Sequence, residues 1–160
     1  MRTVDFMASL KGVDPQRIGV LGFSMGGFRA WQLAALSDKV AATAVISWFG
    51  TYEGLMTPGN NVLRGQSAFY MLHPGMPAKM DIPDIASIAA PKPMLIFSGG
   101  QDKLFPAQAV SDAFAKVHKV WASQKADDML VTKSWPELGH VFYRQQQDEV
   151  FPWLDKWLKP

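Results

Sequence analysis

The sequence predicts an α/β protein built on a parallel sheet of about four strands with helices on both faces. Three observations carry that expectation. Apolar runs alternate along the chain with segments of helical periodicity. The apolar runs are nearly continuous rather than interleaved with polar residues, which is the pattern of strands buried on both faces. The stretch from Val20 to Gly27, Val-Leu-Gly-Phe-Ser-Met-Gly-Gly, carries one such strand through a Gly-x-Ser-x-Gly turn straight into a helix. With 160 residues, one domain is expected, long enough to bury about 68 to 70 % of the surface its unfolded chain exposes.

Each element can be justified in turn. Val4, Met7 and Leu10 share a helical face, and Gly12 with Asp14-Pro15 stops that helix and turns the chain. Ile18 to Phe23 is a short apolar strand. Gly26 to Ser37 is a helix whose strongly polar interior residues are Arg29 and Gln32, so most of its sides should be covered. Ala41 to Phe49 reads as a second buried strand. The stretch from Gly50 to Pro93, rich in Gly and Pro, offers only short helices and is the candidate for a small inserted cap. Met94 to Phe97 is a third strand, and Pro106 to Lys125 a helix with Val110, Ala113, Phe114, Val117 and Trp121 on one stripe. Met129 to Trp135 is the fourth strand. From about Gln145 the last helix aligns Val150, Trp153, Leu154, Trp157 and Leu158, with Pro152 in its first turn or kinking it.

Composition removes several function classes. The net charge is +2, and Lys and Arg are scattered rather than clustered into the basic stripe that phosphate backbones require. No nucleic-acid partner is expected. No apolar run approaches the roughly 20 residues of a membrane span, and no charged-then-apolar leader opens the chain, so a soluble, cytoplasmic protein is the default expectation. Cysteine is absent and the three histidines lie far apart, which argues against a metal site and rules out thiolate catalysis. The glycine turn lacks the Lys-Ser/Thr ending of a phosphate loop. No cofactor is called for.

A strand that reverses into a helix within a few residues places the central residue in a strained conformation, and Gly22, Gly26 and Gly27 are expected to relieve the clashes around Ser24. Such a turn is a nucleophile elbow: it lifts Ser24 Oγ to the carboxyl edge of the sheet, beside a helix amino terminus that favours developing negative charge. Serine is a weak nucleophile by itself, so a base and an orienting carboxylate must reach it. The third strand leads into Ser98-Gly-Gly-Gln-Asp102 and the fourth into Pro136-Glu-Leu-Gly-His140. Both loops leave the sheet at its carboxyl edge, where open α/β sheets gather their sites. Asp102 is thus the candidate acid and His140 the candidate base. His118 is expected at a core boundary and His73 in the irregular segment.

The order Ser24, Asp102, His140, each after its own strand, resembles the α/β-hydrolase fold. Within it the chain is similar to dienelactone hydrolases and prolyl oligopeptidase-like serine hydrolases. The resemblance rests on Asp14-Pro-Gln-Arg-Ile-Gly-Val-Leu-Gly-Phe-Ser-Met-Gly-Gly, Pro93-Met-Leu-Ile-Phe-Ser-Gly-Gly-Gln-Asp-Lys and Leu138-Gly-His-Val-Phe. It implies ester hydrolysis through an acyl-enzyme, with thioesters, amides or peptides as further substrates of the same machinery. Dienelactone hydrolases carry a cysteine where this chain has Ser24, so their lactone chemistry does not transfer.

Family members also have strands ahead of the segment matched here, including the one whose loop gives the second oxyanion donor. The Met25 N–H, next to the nucleophile, is the donor the sequence assigns, and loss of the other would cost about 10²- to 10³-fold in rate. Without those strands, Ile18 to Phe23 would be an exposed edge, so a second copy or a partner chain is expected to cover it. Trp48, Phe49 and Tyr52 follow the second strand at the same edge and are expected to bind substrate. Phe69, Tyr70, Met71, Met76 and Met80, in the candidate cap, are further pocket candidates. The alternative is a non-catalytic half domain retained as a binding or assembly module, and a deletion product or a part of a longer protein is a third possibility.

Overall fold

A computed structural model describes residues 1–59 and 75–159. Strands β1 (Ile18–Phe23), β2 (Val40–Ile46), β3 (Met94–Gly99) and β4 (Leu130–Trp135) form one sheet in the order β1-β2-β3-β4, and every neighbouring pair is parallel. Parallel neighbours need crossover connections. Helix α1 (Arg2–Ser9) precedes the sheet, α2 (Met25–Leu36) links β1 to β2, and α3 (Tyr52–Leu55) and α4 (Ile82–Ala86) lie between β2 and β3. Helix α5 (Ala107–Ser123) links β3 to β4, and α6 (Arg144–Leu158) closes the chain. The functional consequence is geometric: all four strands end at one rim.

Successive strand residues point to opposite faces, and each face has its own core. On one, Val45 and Ile96 pack with Phe28 and Trp31 of α2, Ile82 and Ala86 of α4, and Val117 and Trp121 of α5. On the other, Ala44, Ile46, Leu95 and Phe97 pack with Val150, Trp153 and Leu154 of α6. Trp31 and Trp121 are fully buried, and truncating a side chain of that kind typically costs about 3–5 kcal/mol.

Some boundaries differ from the expected ones. The second strand stops at Ile46 rather than Phe49, because Ser47 takes a positive φ of 54° and turns the chain. Pro152 lies well inside α6, past its first turn. The face shared by Val4, Met7 and Leu10 is buried only at Val4. Within the stretch read as a candidate cap, α4 is core: Ile82 and Ala86 are fully buried against α2 and α5. Phe69, Tyr70, Met71 and His73 lie outside the described residues. Strand β1 is an edge, with Leu21 and Phe23 more than a third exposed. Among the described residues no helix is long and apolar enough to cross a membrane.

Candidate active site

Ser24 lies between β1 and α2 with φ 55° and ψ −121°, a conformation an L-residue adopts only under constraint. Its backbone is tied on both sides, since Ser24 N–H donates to the Ile46 carbonyl at 2.9 Å and Phe28 N–H to the Ser24 carbonyl at 3.1 Å. The turn is as tight as the sequence implies. A Cβ on Gly22 would run into the Gly26 backbone, and one on Gly27 would stand 2.9 Å from the Ile46 carbonyl oxygen. Gly26 is different: a Cβ there meets nothing within 4 Å, so steric need explains Gly22 and Gly27 and corrects the expectation for Gly26.

Asp102 reaches the rim from the loop after β3, and His140 from the loop after β4. These loops are fastened to each other. Gly100 N–H donates to the Trp135 carbonyl at 2.8 Å and Gln101 N–H to the Leu138 carbonyl at 2.9 Å. A Cβ on Gly99 would overlap the carbonyls of Leu138 and Gly139, and one on Gly100 would lie 2.9 Å from Pro136 Cα. The paired glycines of Ser98-Gly-Gly-Gln-Asp102 therefore let two loops touch backbone to backbone. In the sequence they read only as turn residues.

The side chains then form a continuous hydrogen-bonded chain. His140 Nδ1 lies 2.7 Å from Asp102 Oδ2, and His140 Nε2 lies 2.7 Å from Ser24 Oγ. The other carboxylate oxygen, Oδ1, accepts from Leu104 N–H at 2.9 Å. A carboxylate only accepts, so the imidazole donates from Nδ1–H, and the lone pair left on Nε2 accepts from the Ser24 hydroxyl. The Asp102 side chain is 1 % exposed and that of His140 25 %: the carboxylate is shielded, while the imidazole opens toward solvent. Met25, the first residue of α2, presents an N–H from the helix end that the helix itself leaves unsatisfied.

Other sequence candidates fall elsewhere. Trp48, Phe49 and Tyr52, expected to bind substrate, are core residues at 6 %, 0 % and 4 % exposure. Trp48 packs on Phe28, Trp31 and Phe105, and Phe49 stacks on Phe114. Tyr52 borders a different hollow with Glu53, Asp81 and Lys116, where burial and the Asp81 charge push its phenol up. Sequence alone could not separate core from pocket, because apolar residues just past a buried strand serve either. Met76 and Met80 border another hollow with Gly75 and Lys79. His118 joins α5 to β4 through Thr132 Oγ1 at 2.8 Å. Two residues that the sequence did not single out do bear on the site: the rings of Phe23 and Phe105 lie against the imidazole. Among the described residues no group of three or more His, Asp or Glu is placed to hold a metal ion.

Comparison with known proteins agrees with this fold. The chain is 32 % identical over 159 residues to YtaP of Bacillus subtilis (strain 168), which is named as a hydrolase; the match covers 99 % of this chain and 52 % of YtaP. It thus spans about half the length of that relative. Among solved structures it superposes on the glucuronoyl esterase catalytic domain Cip2_GE from Hypocrea jecorina with a TM-score of 0.75 at 19 % identity, covering 98 % of this chain and 49 % of that one. It also superposes on the methylesterase BT1017 with a TM-score of 0.70 at 21 % identity, covering 97 % of this chain and 33 % of that one. At such identities the superpositions show a shared fold, that of α/β hydrolases. Residues 1–153 match the Dienelactone hydrolase family, and this chain belongs to it.

Proposed function

We propose that the protein is a serine hydrolase acting on carboxylic esters, with Ser24 as nucleophile, His140 as general base and acid, and Asp102 as the orienting carboxylate. One observation carries this reading: serine, imidazole and carboxylate are joined by two hydrogen bonds of 2.7 Å in the polarity that nucleophile activation needs. Nε2 takes the Ser24 proton as Oγ attacks the ester carbonyl, and the Met25 N–H donates to the oxygen that becomes negative. Asp102 stabilises the imidazolium. Collapse of the tetrahedral species expels the alcohol, which takes the proton from Nε2 and leaves an acyl group on Ser24. Water, deprotonated by His140, then releases the acid and regenerates the hydroxyl. The esterase names of the superposed proteins support an ester as substrate class.

Replacing Ser24→Ala should reduce turnover of a short p-nitrophenyl ester by more than about 10³-fold while the fold is kept. Unchanged turnover would refute the assignment. The exposed Leu21 and Phe23 favour a second reading, an assembly module that pairs with a second copy through β1. Sedimentation of a micromolar solution as a single 17.7 kDa species would remove it.

A further inference from the structure

We propose that Phe23 and Phe105 are positioning residues that set the tilt of the His140 imidazole, an inference that rests on the serine-hydrolase reading above. The Phe23 ring centroid lies 5.1 Å from that of the imidazole at an interplanar angle of 41°, and the Phe105 centroid lies 6.1 Å away at 11°. The rings come from both arms of the site. Phe23 is the residue before Ser24, and Phe105 follows shortly after Asp102.

Bonds at Nδ1 and Nε2 hold the imidazole 2.7 Å from each of its two partners. Rocking of the ring about its Cβ–Cγ bond swings both nitrogens off those directions, and hydrogen bonds weaken steeply as they bend. Contacts against the faces of the ring resist that rocking. Phe105, its ring plane nearly parallel to that of the imidazole, supplies such a contact and is backed by Trp48, whose ring lies 5.3 Å behind it at 66°. Trp48, expected to bind substrate, thereby gains a role one layer away from the site.

Phe23 supplies the second contact from the edge strand. It is 38 % exposed, and its ring meets Phe142 at 6.4 Å as well as His140. Aromatic pairs in this range attract one another beyond what their burial gives, which biases a ring tilt. The row Trp48, Phe105, His140, Phe23, Phe142 thus joins the core behind β2 to the open side of β1 through the base.

The test uses the full 160-residue chain and a p-nitrophenyl ester. Phe23→Leu keeps an apolar side chain of similar bulk but removes the flat face. It should lower kcat about 10-fold with KM changed less than about twofold, as expected when alignment rather than binding is lost. Phe23→Tyr should restore kcat. In a His140→Ala background, Phe23→Leu should cost nothing further, since the residue acts through the imidazole. Unchanged kcat in Phe23→Leu, or an equal loss in the His140→Ala background, overturns the proposal. A second readout needs no turnover: exchange of the His140 Nδ1 proton with water, its resonance identified by its loss in His140→Ala, should speed up in both Phe23→Leu and Phe105→Leu as the bond to Asp102 loosens, and an exchange rate unchanged in either overturns the clamp. If instead Ser24→Ala turns over the ester as fast as wild type, the hydrolase reading fails, while this exchange rate still decides whether the rings hold the imidazole.

Discussion

The arm that presents Ser24 stands on the outermost strand, β1, whose side chains Leu21 and Phe23 face solvent. The arm that presents Asp102 and His140 rises from β3 and β4 as two loops fastened by backbone hydrogen bonds and by glycines that would otherwise clash. Both solve the same problem, bringing backbone close to backbone at the rim. They solve it over different distances. The elbow closes on itself within a few residues at Gly22, where the demand for glycine is written locally, while Gly27 also meets Ile46 of β2; the loop pair closes across two strands and an intervening helix, so the demand at Gly99 and Gly100 becomes visible only once the chain is folded. In the proposed mechanism the acid–base pair is therefore preassembled, and Ser24 is brought to it on an edge strand.

Substitutions can break this comparison at graded depth. The largest effect belongs to the fastened arm. Asp102→Asn preserves size but lets the amide donate toward Nδ1, which favours the tautomer with its proton on Nε2; kcat should fall by about 10⁴-fold with little change in melting temperature, measured by ester hydrolysis and calorimetry. Next comes the elbow: Gly22→Ala drives a methyl group into the Gly26 backbone and should cost about 1–3 kcal/mol in denaturant unfolding, together with a loss of turnover. The smallest effect separates steric glycine from incidental glycine. Gly26 lies in the first turn of α2 with open space where a Cβ would go, so Gly26→Ala should preserve turnover and raise stability by up to about 1 kcal/mol. A Gly26→Ala protein as damaged as Gly22→Ala would mean that the elbow tolerates a side chain at neither glycine.

Much of the fold was legible because its signals are local. The strands Ile18–Phe23 and Met94–Gly99 announce themselves as apolar runs, and the helix Ala107–Ser123 as a stripe ending at Trp121. The site was legible for a related reason: in a sheet of parallel neighbours, any residue just past a strand arrives at the same rim, so Ser24, Asp102 and His140 could be brought together without knowing a single contact. Side-chain environment was not legible. Phe49 and Tyr52 arrive at that rim too, yet turn into the core, because Ser47 with its positive φ redirects the chain just before them. Helix α4 was partly readable in retrospect: Asp81 caps the Ile82 N–H, Asp84 caps the Asp81 N–H at 2.8 Å, and a proline sits in the first turn, which is a start signal hidden in a Pro-rich stretch. Nothing local could have placed Phe105 against His140, since that contact depends on how two loops dock.

The central claim is that Ser24 is an activated nucleophile by virtue of His140. Its most direct measurement is labelling of the folded protein with a fluorophosphonate, read by intact mass and by the modified peptide. The account predicts stoichiometric attachment to Ser24 that is lost in Ser24→Ala and slowed by more than about 10³-fold in His140→Ala. No labelling of the folded wild-type chain, or labelling at an undiminished rate without His140, would contradict it.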